Sequence, residues 1–204
     1  MKLYKYCSLP DLEKYQSLLT NLKISKPNDL NDPFEGFFSK IDLQKRIGCL
    51  SGTAPTGNND SIYMWSFYAN ALKGICIKYE FQNSLNDKSI KHGPVKYIVR
   101  CAKNKKISLF HKYLSWVPEQ EYRFIFSGEI PEFYPINELS LKVTGIYLGV
   151  GLLGGHPVDV KERNKSMREL KIYNWLASNL SKDVPIYVCA RNRQKYKVVH
   201  KKLN

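Results

Sequence analysis

The sequence predicts a single α+β domain over residues 1–204 in which short strands outnumber helices. Three observations carry this: many short apolar or alternating segments, only a few stretches with helical spacing, and no repeat, low-complexity linker or composition break along 204 residues. LYKYC (3–7) alternates and reads as a strand. Ser8-Leu9-Pro10-Asp11 then opens a helix running to about Asn21, with a hydroxyl cap, a proline in the first turn and an acid three residues on. KPNDLNDPFE (26–35) is turn-rich, GCLSG (48–52) reads as a short buried strand, and TAPTGNND (53–60) as a loop.

SIYMWSFYANALKG (61–74) has the spacing of a short helix ending at Gly74, and ICIKYEF (75–81) follows as a strand. GPVKYIVRC (93–101) is a further strand, ISLFHKYLSW (107–116) has helical spacing, and EQEYRFIF (119–126) and KVTGIYLGV (142–150) are strands. Ser166 to Glu169 opens the clearest helix, with Met167, Leu170, Tyr173, Leu176 and Leu180 as one apolar stripe. VPIYVCA (184–190) and KYKVVH (195–200) close the chain as a hairpin, so the basic segment 161–204 packs as part of the domain.

Hydrophobic residues make up 43% of the chain, with 14 Tyr, 9 Phe and 3 Trp, which is enough for a core and excludes wholesale disorder. No apolar run reaches the roughly 18 residues of a membrane span, and the start, MKLYKYCSL, lacks the apolar stretch of a signal peptide. Five scattered cysteines without a CxxC pair fit buried thiols in a reducing compartment, so a cytoplasmic protein is expected.

The charge is +14 and uneven. Residues 91–112 hold seven Lys or Arg and no acid, and residues 161–204 hold twelve against three acids. Such clustering is the footprint of a polyanion binder, although a solvated lysine-rich surface has the same composition. Bulky apolar anchors on a long basic helix are missing, which argues against a membrane surface.

Gly149, Gly151 and Gly154 match GxGxxG, but His156-Pro157 stands where the helix of a dinucleotide fingerprint should begin, so a plain glycine turn is expected. The four histidines have no metal-ligand spacing, and no metal site is expected. Tyr63, Trp65, Phe67 and Tyr68 lie on the short helix, one side for the core and the other able to stack a flat ring.

In EQEYR, a strand would put Glu119, Glu121 and Arg123 on one face. That could be an exposed ion pair worth about 0–1 kcal/mol. It could also be a catalytic face, because carboxylates about 7 Å apart on a strand can divide the work on an oxocarbenium-like sugar.

LYKY (3–6), KPNDLNDPFE (26–35), MWSFYANALKG (64–74) and WVPEQEYRF (116–124) together resemble a bacterial family known as domain of unknown function 2971, over roughly the first 150 residues. The chain departs from it at Leu72, where that family usually has histidine, and at Phe67, another polar position of the same helix. The order of parts is also similar to ADP-ribosyltransferase-like domains. That likeness implies a predominantly antiparallel, split sheet with several short helices. It implies NAD+ as substrate, contacted by Lys5 or Tyr6 on the first strand and by Tyr68 with Trp65 on the helix. Glu121 would act on the nicotinamide ribose, Glu119 would orient or deprotonate the acceptor, and Arg123 would keep Glu121 ionised.

The implied function is an NAD-dependent ADP-ribosyltransferase-like enzyme, a toxin or phage-defence effector. Its acceptor would be an anionic macromolecule, RNA before DNA, and an inhibitory antitoxin protein is a further expected partner. The alternative is a non-enzymatic basic module that binds nucleic acid.

Overall fold

The computed structural model describes residues 1–8, 17, 19–32, 44–57, 59–82, 85, 87–99, 108–154, 160–192 and 197–203. The helix expected from Ser8 and the NDPFE segment beyond Asp32 lie largely outside the described residues. What is described is a mixed α+β domain rich in strands. Five strands form one half of its sheet: β1 (Lys2–Ser8), β4 (Gly74–Phe81), β10 (Leu141–Gly149), β11 (Ile186–Asn192) and β12 (Lys197–Lys202), in the order β12-β11-β10-β4-β1. The other half contains β2 (Asn21–Ser25), β3 (Arg46–Ser51), β5 (Lys91–Pro94), β8 (Glu121–Phe126) and β9 (Phe133–Pro135). In it β3 pairs with both β2 and β8, β5 with β8, and β9 with β2. These ladders are antiparallel, while β10 and β11 run parallel.

The two halves meet at β1 and β3, which pair with Tyr4 opposite Ser51. Beyond that pair the strands part, and a cleft opens between them. Adjacent strands that stop pairing leave room for side chains from both halves to face one space.

The first half is packed by two helices on one face and by a third helix on part of the other. On one face Ile77, Ile146, Leu148 and Val188 lie under helices α2 (Val160–Glu169) and α3 (Lys171–Asn179), which supply Met167, Ile172 and Leu176. The expected apolar stripe therefore does face the core. The single helix expected there is two, because Leu170 has extended backbone (φ −65, ψ 136) and turns the chain. Helix α1 (Asn59–Tyr68) covers part of the opposite face, where Trp65 packs edge-on to Tyr6 at 5.5 Å and its Nε1–H donates to the Pro55 carbonyl at 2.8 Å.

After α1 the chain passes through three left-handed residues, Asn70, Ala71 and Leu72, with φ of 46, 53 and 70. Each is strained by about 1–2 kcal/mol for a residue with a side chain. Three hydrogen bonds hold this turn: Ala71 N–H donates to the Trp65 carbonyl at 2.9 Å, Lys73 N–H donates to the Asn70 carbonyl at 3.0 Å, and the Leu72 carbonyl accepts from Gly151 N–H at 2.8 Å. This explains the GxGxxG match. A Cβ at Gly149 would lie 2.1 Å from the Leu72 oxygen, so the glycines make space for a neighbouring carbonyl. Gly149→Ala is expected to cost about 3 kcal/mol in a urea unfolding experiment, an overpacking effect with backbone on the receiving side.

Two other expectations are corrected. The strand expected over 93–101 is broken at Val95, where the chain leaves β8 and joins another partner. Val95 N–H donates to the Glu121 carbonyl at 2.8 Å and Lys96 N–H to that of Phe110 at 2.7 Å. The helix expected over 107–116 is instead a short strand, β7 (His111–Tyr113), paired in parallel with β6 (Lys96–Ile98), followed by a 3-10 turn over Leu114–Glu119. Helical apolar spacing there is outweighed by pairing with β6, and Pro118 tightens the turn.

Candidate functional site

β8 is buried along its whole length, between β3 and β5. The EQEYR segment is thus no exposed face. Arg123 is fully buried and Glu121 5% exposed. The expected strand geometry is corrected at its start, because Glu119 ends the 3-10 turn and Gln120 is left-handed (φ 46, ψ 49) before β8 begins. Three bonds fasten this corner to the end of β3. Ser51 Oγ donates to the Glu119 carbonyl at 2.5 Å, Thr53 Oγ1 to the Pro118 carbonyl at 2.6 Å, and Gly52 N–H to the Gln120 carbonyl at 2.9 Å.

The corner turns both carboxylates onto one ammonium. Lys112 Nζ donates to Glu119 Oε2 at 2.7 Å and to Glu121 Oε2 at 3.0 Å, with all three side chains buried. β7 explains why lysine reaches inward. Alternation in this three-residue strand buries its central residue and leaves His111 and Tyr113 outward. The Lys112 ammonium also lies 4.7 Å from the centre of the Trp116 ring.

Arg123 holds Glu121 from behind in a bidentate pair, Nε to Oε1 at 2.7 Å and Nη2 to Oε2 at 3.0 Å, while Nη1 donates to the Leu109 carbonyl at 2.6 Å. Glu119 faces the other way. Its Oε1 accepts from the Tyr68 hydroxyl, whose oxygen accepts from Asn31 Nδ2 at 2.8 Å. The backbone N–H of Glu121 donates to the Tyr97 hydroxyl at 2.7 Å.

This arrangement drives the two acids apart. Burial pushes the Glu119 carboxyl above its ordinary value against the pull of Lys112, and the Glu121 charge adds to the rise. Burial would raise Glu121 as well, but Arg123, by charge and hydrogen bonds, outweighs it with help from Lys112 and holds that carboxyl at about 2. One carboxylate that stays ionised beside one that binds a proton more readily is the pattern of a divided acid–base pair. Cys49 stands beside Glu121, and burial pushes its thiol well above the usual range, so it is a neutral neighbour.

A cavity of about 230 Å³ opens over this cluster at the cleft between the half-sheets. Glu119, Glu121, Lys112 and Tyr68 line it together with Tyr4, Lys5 and Tyr6 of β1. The structure therefore brings five of the residues singled out in the sequence to one space: Glu119, Glu121, Lys5, Tyr6 and Tyr68. Lys5 Nζ donates to the Cys49 carbonyl at 3.1 Å and the Tyr6 hydroxyl to the Thr53 carbonyl at 3.0 Å.

Two of the expected site residues lie off the cavity wall. Trp65 is in the core under α1, lining a different cavity, and Arg123 lies behind Glu121 and outside the lining. Lys112 and Asn31 join the site without having been singled out. No spacing rule pairs Lys112 with acids seven and nine positions on, and its inward direction follows only once β7 is known to be a strand.

Among the described residues, no group of three or more His, Cys, Asp or Glu is placed to hold a metal ion, and no helix is long and apolar enough to cross a membrane. Comparison with known family models, curated proteins and solved structures finds no match to this chain.

Proposed function

We propose that the Glu119–Lys112–Glu121 cluster is the centre of an NAD+-consuming ADP-ribosyl transfer onto an anionic macromolecule, with RNA as the first candidate acceptor. The observation that carries this reading is the pair of buried carboxylates, one held by Arg123 and the other by Tyr68, joined by one ammonium on the wall of a cavity that Tyr68 also lines.

The roles follow from the geometry. An ionised carboxylate has about four lone-pair positions. Arg123 and Lys112 occupy three on Glu121 and the neutral Cys49 thiol, a weak donor, takes the fourth, so a ribose hydroxyl reaches this carboxylate by displacing the thiol. As the bond between ribose C1′ and the nicotinamide nitrogen breaks, the nitrogen keeps the electron pair. The positive charge that the base loses develops on the sugar, and Glu121 stabilises it. The acceptor's nucleophile then forms the new bond to C1′ and gives its proton to Glu119. Tyr68 and Lys112 fix the Glu119 oxygens for that transfer. The cavity is smaller than the usual volume of a small-molecule site, about 300–1,000 Å³, so it takes the nicotinamide ribose and leaves the rest of the dinucleotide over the rim.

One observation favours a second reading, a non-enzymatic module that binds nucleic acid. Lys112 and Arg123 already neutralise the two acids, so the cluster would not repel phosphate. Incubation with NAD+ labelled in the adenylate half, together with total cellular RNA, DNA and protein, separates the two. The enzyme reading expects label in the nucleic-acid fraction and free nicotinamide in solution. Nucleic acid that binds but stays unlabelled, with NAD+ intact, would establish the second reading in its place.

A further inference from the structure

Helix α1 covers only one end of its sheet face, and the uncovered end has a definite composition. Tyr147 of β10 and Tyr187 of β11 stack at 4.8 Å with 15° between their planes, and His200 of β12 meets both edge-on, at 5.7 and 5.0 Å. Strand alternation and register put Lys78, Lys142 and Lys202 on the same face, since Lys78 pairs opposite Gly145, Lys142 opposite Glu80 and Lys202 opposite Tyr187. Gly145 is buried beneath the Lys78 and Tyr187 side chains, which a Cβ there would meet at 3.7 Å, so the two side chains close over the strand at this point. Tyr147 is buried and backs Tyr187, so the rings open to a partner are those of the half-buried Tyr187 and the exposed His200; Lys78 is half-buried, and Lys142 and Lys202 are exposed.

This face is continuous with the carboxylate site. A single transverse row of the sheet runs Gly145, Lys78, Tyr4, Ser51, Glu121, each opposite the next on successive strands. At about 4.8 Å per strand, Lys78 stands about 14 Å from Glu121 along this row. Tyr4, one strand from Lys78 and two from Glu121, lines the cavity itself.

We propose that this sheet face binds a single-stranded nucleic acid and leads it along the Lys78–Tyr4 row towards the Glu119–Glu121 cavity. Aromatic rings on a pleated surface offer contact to unpaired bases irrespective of sequence, and lysines around them meet the phosphates. A duplex keeps its bases stacked within and cannot use the rings. The three lysines against one acid, Glu80, make the face complementary to a polyanion. The proposal rests on the reading of an anionic acceptor given above. Its test is run without NAD+, so the binding face and the chemistry can fail separately.

The test is fluorescence anisotropy with a labelled mixed-sequence 12-nucleotide strand, as RNA and as DNA, and with the corresponding duplex. Binding of either single strand, with a loss of about twentyfold between 50 and 200 mM salt, is the result expected for three phosphate contacts. Tyr187→Leu should weaken binding about tenfold, the size of one lost stacking contact. Lys78→Glu with Lys202→Glu should weaken it further and flatten the salt dependence. Thermal melts identify variants that remain folded, and Lys202, exposed at the sheet edge, gives one that does not disturb the core. Absence of single-strand binding at 50 mM salt, equal affinity for the duplex, or wild-type affinity in both folded variants would overturn the proposal.

Discussion

Arg123→Met should destabilise the fold by about 3–5 kcal/mol, the usual result of removing one partner from a buried ion pair. Arg123 is fully buried and supplies two hydrogen bonds to Glu121 as well as one to the Leu109 carbonyl. Methionine fills similar volume, so the loss reports the uncompensated carboxylate and not a cavity. The pH dependence identifies the cause. In the wild type the Glu121 carboxyl is held at about 2, below its ordinary 4.5. Its contribution is therefore fully present above 4.5 and lost as the pH falls from 4.5 to about 2, and it amounts to about 3 kcal/mol. Without Arg123, burial dominates and the carboxyl rises. The wild type's advantage over the variant should then shrink as the pH falls through this window, as read by urea unfolding at several pH values. A constant difference across the window would mean that Arg123 stabilises by packing alone.

Glu121→Gln should reduce NAD+ turnover about a hundred- to thousandfold, the loss of one electrostatic contact that strengthens in the transition state. Glutamine preserves shape and one acceptor but removes the charge. It also removes the carboxylate that Arg123 holds and leaves Lys112 with Glu119, so some stability is lost, and the comparison must be made well below the variant's melting temperature. A fall in kcat and kcat/KM by the same factor, with KM unchanged, would mark Glu121 as acting in the transition state. A raised KM with kcat unchanged would place it in ground-state binding and remove it from the chemistry.

Much of the architecture is legible in the chain. ICIKYEF and KVTGIYLGV read as strands and are β4 and β10, where one face lies under two helices and part of the other under α1, and apolar runs mark the interior. The Met167–Leu176 stripe reads as a core-facing helix because burial selects the same residues whether or not the helix turns at Leu170. LFHKYLSW misleads for a physical reason. Leu109, Tyr113 and Trp116 are spaced for a helix, but the segment is held by distant partners, Lys96–Ile98 and the end of β3, which local spacing does not encode.

The site divides in the same way. Glu119, Glu121 and Arg123 are adjacent in sequence, and their grouping is visible there. The left-handed Gln120 that makes the carboxylates converge, and the Lys112 ammonium that joins them, depend on tertiary contacts. Trp65 shows the opposite error, since an aromatic at the right place on a helix is as readily core as stacking surface, and here its indole is 1% exposed.

The measurement closest to the central claim is the amount of free nicotinamide released from NAD+, followed by proton NMR with total cellular RNA and DNA present. The wild-type protein should release it steadily, and folded Glu121→Gln at no more than about a hundredth of that rate. No release by the wild type with any nucleic acid present, or equal release by the two proteins, would contradict a catalytic role for the buried carboxylates.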